Sequence, residues 1–322
     1  MKAVYVREFG PIEAMELVDL PIPTPAPRQV LVRVKASGVN FAETRMRAGT
    51  YSGQTAPFVL GMEAAGIVEG VGSAVTEFQP GDRVFGRARG SHAEYVLFDA
   101  DHLLPLPDSL TFEQGAAIPV GWLTAWHGLV TLAAVQPGQR VLIEGIASSV
   151  GSAALQIARW RGAWVAGTAS RDEKVARARE WGANAAYNYL REDFVARLRA
   201  DTAGHGADIS MLTIGGEHGA RTLAAMADEG TVLLFGSTGG RTLPLDLNIG
   251  SRNLRLLSFS ITTSRRFLPE TMVSFRQVAL PLFANGLFRP VVDRVLPLAQ
   301  VKEAHRLIHE RTHFGKIVLR VD

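Results

Sequence analysis

The chain has 322 residues, 47% of them hydrophobic and 20% charged, a balance that supports a substantial buried core and length for two domains. It contains no cysteine, which removes disulfides, thiolate metal sites and cysteine nucleophiles and leans toward a cytoplasmic location. The net charge of +3 arises from interspersed Lys, Arg, Asp and Glu without a long basic block, so no nucleic-acid partner is expected.

The opening "MKAVYVREFGPIEAME" has no sustained apolar run ahead of a small-residue cleavage signal, and secretion is not expected. β-Branched and aromatic residues bounded by Pro, Gly or Asp predict short strands at Ala3–Val6, Gln29–Ala36, Ala65–Val71, Arg83–Phe85 and Ala93–Phe98. The intervening "DLPIPTPAPRQV" is too proline-rich for a helix and reads as an extended surface run. This rhythm points to an antiparallel barrel-like or sandwich-like domain. From Gly115 to Val135 the chain is apolar enough to suggest a membrane span, but Pro119, Gly121, Thr124 and His127 interrupt it. A buried helix after an extended approach through Pro119 is expected, with no membrane insertion.

From Arg140 the period changes. A strand at Val141–Glu144, a helix over about Val150–Arg161, a strand at Trp164–Thr168 and a helix over Asp172–Trp181 come in turn. A short strand near Ala185–Tyr187, a helix near Glu192–Asp201, a strand at Ile209–Leu212, a helix at His218–Ala227 and a strand at Thr231–Phe235 complete the series. Short strands alternating with longer helices signal a parallel sheet covered by helices. Gly162 and Gly182 stand where left-handed helix stops are expected. The tail returns to mixed rhythm: strand-like "NLRLLSF", a helix near Pro269–Asn285, the strand "VVDRVLPL", a helix at Val301–Arg311 and a last strand "GKIVLRV".

The run "LIEGIASSVGSAALQIA" joins the first of the parallel strands to its helix. A dinucleotide site needs a sharp turn there, with unpaired amides and the helix dipole facing the pyrophosphate. Gly145 and Gly151 stand at useful places, while Ser148 and Ser149 sit where glycine would give tight dihedrals at no steric cost. The turn is therefore either a phosphate turn, with the Ser149, Val150 and Gly151 amides and a serine hydroxyl facing the pyrophosphate, or a structural connection. The next strand ends "GTASRDEK". Ser170, Arg171 and Lys174 suit a 2′-phosphate, which an acidic residue would repel, so NADPH is the expected cofactor; a capped helix with solvated charges is the alternative. Later strand ends "TIGG" (Thr213–Gly216) and "LFGSTGG" (Leu234–Gly240) put more glycine at the same sheet edge.

These runs, with "VKASGVNFAETRMRAGTY", "GMEAAGIVEGVGSAVTEFQPGDRVFG", "HAEYVLFDADHLLPLPDSLTFEQGAAIPVGWLTAWHGL" and "AHRLIHERTHFGKIVL", resemble the zinc-free quinone oxidoreductase and enoyl reductase branch of the medium-chain dehydrogenase/reductase superfamily in order along almost the whole chain. The resemblance implies an α/β fold in three stretches: a chaperonin-10-like, mainly β substrate domain (1–117), a doubly wound Rossmann domain (118–257) and a C-terminal segment that completes the first domain (258–322). It also implies a homodimer through the outer Rossmann strand, here "LRLLSFS". Among cofactor contacts it places Asn40, Thr124, Tyr189, Ile214, Gly215, Phe235, Gly236, Ser237 and Lys316 beside those already named. Leu212 stands where the family commonly has Asp.

The zinc alcohol dehydrogenases place their catalytic ligands at positions held here by Asn40, Met62 and Gly121, and none of these replaces a thiolate or imidazole in kind. His305, His309 and His313 are spaced for one helix face, but "THFG" is expected to end that helix, so no metal is expected there either. Without a Lewis acid, a quinone or conjugated enone is a better acceptor than a simple alcohol is a donor. Tyr51 is the candidate for proton delivery or oxyanion hydrogen bonding, with a loop anchor as its alternative. Asn40 is read as orienting a carbonyl or ribose, or as a turn residue; Thr124 as bonding the nicotinamide side, or its own helix backbone. Two other functions stay open, an enoyl thioester reductase and an NADPH-binding protein that keeps the fold without catalysis. The aromatic residues Phe41, Trp122, Trp126, Phe267 and Phe288 fit either pocket or core.

Overall fold

The computed structural model describes residues 1–240, 242–245 and 251–321. The first third forms β1 (Lys2–Val6), β2 (Met15–Asp19), β3 (Gln29–Val39), helix α1 (Phe41–Arg47), β4 (Phe58–Val59), β5 (Glu63–Val71), β6 (Arg83–Arg87), β7 (Tyr95–Asp99), β8 (Leu103–Pro105) and helix α2 (Phe112–Ala116). The long strand β3 is buried along most of its length, with Arg33 its one exposed residue, as expected of a strand covered on both faces. β3 pairs antiparallel with both β5 and β7.

Helix α3 (Pro119–Trp126) winds on through a π-helical His127–Leu132. Then come β9 (Arg140–Glu144), α4 (Ser149–Trp160), β10 (Trp164–Ala169), α5 (Asp172–Glu180), β11 (Ala185–Asn188), α6 (Phe194–Asp201), β12 (Ala207–Leu212), α7 (Gly216–Ala224), β13 (Met226–Leu234) and β14 (Arg255–Ser258). Their sheet runs β11-β10-β9-β12-β13-β14, and every neighbouring pair is parallel. The tail supplies α8 (Leu280–Ala284), β15 (Val292–Pro297), α9 (Val301–Glu310) and β16 (Lys316–Arg320); β16 pairs with β3 and so extends the first sheet. The Rossmann-like parallel sheet and the GroES-like mainly β domain expected from the sequence are both present.

Five elements escape sequence periodicity, among them β4 and β8, which have two and three residues. β2 is short, and α1 and α2 have seven and five residues, too few for a 3.6-residue repeat to register. The available signal for α1 is its capping box, Asn40-x-x-Glu43, in which the Asn40 amide donates to Glu43 Oε2 at 3.1 Å. The helix expected to run to Ala227 stops at Ala224, because Met226 already pairs with Ala207. The helix expected over Pro269–Asn285 is wound partly as π-helix, at Phe267–Met272 and Phe275–Ala279, before α8.

The chain divides into two compact units, Gly121–Thr271 and the remainder. The parallel unit extends past residue 257 because the chain beyond β14 is tied to α3 and its continuation. The Thr271 hydroxyl lies 2.6 Å from His127 Nδ1 and 2.7 Å from the Thr131 hydroxyl, and Arg266 donates to the Thr131 carbonyl at 2.9 Å. Trp122, Trp126, Phe267 and Phe288 are each no more than 2% exposed and belong to the cores; Phe41 is half-buried against the core of the other unit. No helix among the described residues is long and apolar enough to cross a membrane.

Candidate functional site

In the parallel unit the strand order reverses between β9 and β12, and a sheet of this kind opens a crevice at the carboxyl ends of those strands. The turn after β9 places its left-handed conformation at Gly145, with φ +58°. Ser148 has φ −76° and ψ 169°, extended backbone open to any residue, so the serines cost the turn nothing. Gly151 is required by closeness instead: a Cβ there would lie 2.4 Å from the Gly145 carbonyl oxygen and 2.6 Å from Ile146 Cα. That approach draws the start of α4 under the turn.

Both serine hydroxyls have roles inside the protein. Ser148 caps α4, its Oγ accepting from the Gly151 amide at 3.0 Å. Ser149 Oγ lies against α3, only 2.3 Å from where a Cβ on Gly121 would stand. With the Gly151 amide taken by the cap, Ser149 and Val150 hold the amides without intrahelical acceptors, aligned with the positive end of a twelve-residue helix. Two such donors at the start of a helix drawn close under a glycine turn fit a dinucleotide pyrophosphate. Thr124, in α3, is 8% exposed.

The residues expected around a 2′-phosphate stand at or just after the adjoining strand ends. Ser170 follows β10 and Tyr189 follows β11, and the Tyr189 amide donates to the Ala169 carbonyl at 3.1 Å. Arg171 occupies the N-cap position of α5 and is exposed; Lys174 lies within its first turn, 9% exposed. Asp172, the nearby acid, is engaged by Asn188 Nδ2 at 2.5 Å and by an ion pair with Arg191. The Tyr189 ring meets the edge of His218 at 4.5 Å, and burial pulls the His218 imidazole down to about 4.

The glycine-rich ends of β12 and β13 are laced together. Thr238 and Gly239 donate amides to the Thr213 and Ile214 carbonyls at 2.9 and 2.7 Å. A Cβ on Gly236 would lie 2.3 Å from Thr213 Oγ1, and Gly215 has φ +74°. Phe235 and Ser237 lie on the same segment. Beneath them the buried Glu144, last residue of β9, accepts from the Thr213 and Ile214 amides at 2.9 and 2.6 Å and from the Thr222 hydroxyl at 2.6 Å. Burial pushes its carboxyl above the usual range against those three hydrogen bonds. Sequence reasoning misses Glu144, although a charged residue closing the apolar strand "VLIE" is an available signal. Leu212, at the end of β12, is 1% exposed, so the carboxylate at this edge comes from the neighbouring strand.

Asn40 and Lys316 belong to the other unit, where the fold brings them together. The Lys316 ammonium donates to Glu63 Oε1 at 2.5 Å and Asn40 Oδ1 at 2.8 Å, while Asn40 Nδ2 donates to the same Glu63 oxygen at 2.8 Å. Glu63 Oε2 accepts from the Val120 amide at 2.7 Å. Behind them Ser37 Oγ lies 2.8 Å from His92 Nδ1, and His92 Nε2 lies 3.0 Å from Glu43 Oε2, all wholly buried. Burial alone would raise the Glu43 carboxyl; the neighbouring His92, together with His305 and the Asn40 amide, outweighs it and holds the group below the usual carboxylate range. Tyr51 is half-buried in the loop after α1, and Arg87, also half-buried, lies within electrostatic reach of both Tyr51 and Glu63.

The positions of the zinc ligands hold Asn40, engaged as described, Met62, packed on the core, and Gly121, in α3. His305 faces inward with Nδ1 3.1 Å from Arg47 Nη1, and burial pulls it down to about 3. α9 stops at Glu310 and Arg311 turns left-handed at φ +52°, so His313 leaves the shared face. Among the described residues no three His, Asp or Glu side chains are gathered to hold a metal ion.

Residues 26–108 match the alcohol dehydrogenase GroES-like domain family and residues 149–278 the zinc-binding dehydrogenase family, whose name includes a metal for which this chain has no cysteine ligand. Human quinone oxidoreductase is 35% identical over 99% of this chain and 97% of its own length. An Escherichia coli quinone oxidoreductase complexed with NADPH superposes with a TM-score of 0.90 at 29% identity, over all of both chains. An NAD-dependent alcohol dehydrogenase does so with a TM-score of 0.89 at 33% identity, again over all of both chains. The chain therefore belongs to the medium-chain dehydrogenase/reductase superfamily, in its quinone oxidoreductase and enoyl reductase branch.

Proposed function

We propose that this protein transfers hydride from NADPH to a quinone or an α,β-unsaturated carbonyl compound without the help of zinc. It is an NADPH-dependent oxidoreductase of quinone- and enone-type acceptors. The observation that carries the residue-level reading is the pair of Ser149 and Val150 amides at the start of α4, drawn under the Gly145 turn by the close approach of Gly151, with Ser170, Arg171, Lys174 and Tyr189 at the adjoining strand ends. When bound, NADPH supplies the hydride. The Ser149 and Val150 amides hold the pyrophosphate, and Ser170, Arg171, Lys174 and Tyr189 receive the 2′-phosphate. Thr124, Ile214, Gly215, Phe235, Gly236 and Ser237 line the nicotinamide half. Asn40 offers the second lone pair of Oδ1 to a ribose hydroxyl, and Lys316, turned toward Glu63 and Asn40, fixes that amide's orientation. Tyr51 donates a hydrogen bond to the acceptor oxygen as negative charge develops there.

Rates of NADPH and NADH oxidation with a panel of small quinones and enones test the reading. NADPH is expected to be preferred; no turnover with any acceptor, or equal turnover with both cofactors, would overturn it. In the Arg171→Ala/Lys174→Ala double variant, KM for NADPH is expected to rise at least about tenfold, the weight of a lost charge-assisted contact, while NADH kinetics stay unchanged. An equal rise for both cofactors would remove these residues from 2′-phosphate recognition. For Tyr51→Phe, enone turnover is expected to fall about 100-fold, at the low end for a lost general acid, with the Kd for NADPH preserved. Quinone reduction falls less, because a quinone needs less help with protonation. Unchanged enone turnover would exclude Tyr51 from the chemistry.

A cytoplasmic homodimer is part of the proposal. β14 ends the parallel sheet, all four of its residues are exposed, and Leu256 and Leu257 are each 37% exposed. Pairing this edge with a second copy would satisfy its open backbone groups. Sedimentation of the wild type and of Leu257→Arg tests it, the variant being expected as monomer; a monomeric wild type would overturn it.

A further inference from the structure

We infer that Glu144 is a positioning residue for the nicotinamide half of the cofactor: its carboxylate at the end of β9 holds the Thr213–Gly216 turn, and through it the Phe235–Gly239 segment, in the shape that receives the ring. The inference rests on the cofactor placement proposed above.

The turn it acts on has little rigidity of its own. Gly215 and Gly216 have φ of +74° and +58°, and the Phe235–Gly239 segment contains two further glycines outside any helix or strand. Against that freedom, Glu144 Oε2 accepts two consecutive amides, Thr213 at 2.9 Å and Ile214 at 2.6 Å. The peptide between Thr213 and Ile214 is then held at both ends. Its N–H is on Glu144, and its carbonyl accepts from the Thr238 amide at 2.9 Å and the Thr238 hydroxyl at 3.2 Å. The Gly239 amide closes the lattice on the Ile214 carbonyl at 2.7 Å. One buried carboxylate thus fixes two loops, the first directly and the second through the first, and hydrogen bonds in such a series polarise and strengthen one another.

The carboxylate is itself held. Oε1 accepts from the Thr222 hydroxyl of α7 at 2.6 Å, and His218 Nε2 lies 3.9 Å away on the same helix. The Glu144 side chain is wholly buried, so it acts on the cofactor only through the turn and is not a reacting group.

The test is binding of two probes, NADPH and adenosine 2′,5′-bisphosphate, which carries the 2′-phosphate end and no nicotinamide. In Glu144→Ala, the Kd for NADPH is expected to rise about tenfold, one charge-assisted hydrogen bond's worth, with the bisphosphate Kd unchanged. Glu144→Gln, which keeps an oxygen acceptor for the two amides, is expected to recover most of the loss. Should Glu144→Ala fail to fold, Thr222→Val carries the test: it frees Oε1 only and is expected to weaken NADPH by a smaller factor, again sparing the bisphosphate. NADPH affinity unchanged in these variants, or both probes weakened equally, would overturn the inference while leaving the cofactor reading intact. A wild-type protein that binds neither probe would overturn both.

Discussion

Replacing Lys316 with methionine is expected to destabilise the protein by about 3 kcal/mol or more, the cost of leaving one member of a buried ion pair without its partner. Lys316 is 1% exposed and Glu63 is wholly buried, so solvent screens neither charge. In the variant the Glu63 carboxylate keeps the Asn40 amide and the Val120 N–H but loses the ammonium in contact with it. A loss of that size is a large fraction of the ~5–15 kcal/mol that holds a typical fold together. Urea unfolding of the wild type, Lys316→Met, Glu63→Gln and the double variant measures it. The double variant should recover much of the loss, because it removes the stranded charge as well as its partner. A single-variant loss below about 1 kcal/mol, the range of exposed pairs, would show that the charges are screened after all.

Gly151→Ala is expected to have the second largest effect, and in the direction opposite to helix propensity. Alanine inside a helix is favoured over glycine by about 1 kcal/mol. Here its Cβ would stand 2.4 Å from the Gly145 carbonyl oxygen and within 2.8 Å of the Ile146 carbonyl carbon, backbone atoms that cannot turn aside. α4 must move away from the turn, at about 1–3 kcal/mol for overpacking, and the Ser149 and Val150 amides move with it. NADPH affinity is therefore expected to fall by more than about tenfold together with thermal stability. Ser148→Gly supplies the contrast: it loses the cap to the Gly151 amide, which costs only a few tenths of a kcal/mol on this substitution. Calorimetric NADPH titration separates the two. Binding in Gly151→Ala equal to the wild type would mean that the close approach of helix to turn is not needed to hold the pyrophosphate.

The serines show how a local motif is misjudged when dihedrals and packing are read as one requirement. From the sequence they question the turn, since glycine commonly serves both needs. In the fold the needs separate. Gly145 meets the left-handed conformation and Gly151 the close approach, which leaves Ser148 free to cap and Ser149 free to pack on Gly121. The aromatic residues make the opposite case. Trp122, Trp126, Phe267 and Phe288 have the same composition whether they line a pocket or a core, and only the arrangement of neighbouring elements shows them buried.

What the sequence determined by itself is what periodicity and inventory carry. Alternating strands and helices from Arg140 onward specify a parallel sheet, the glycines at 145 and 151 mark a tight turn between its first strand and helix, and the absence of cysteine removes thiolate ligation. What the tertiary structure decided are the meetings of residues far apart in the chain. Lys316 reaches Asn40 across 276 positions because β16 pairs beside β3, and Glu144 reaches Thr213 and Ile214 because β12 lies next to β9. Local patterns encode each strand through its own side chains. Which strand it adjoins is settled by the burial of whole faces, and that depends on every element at once.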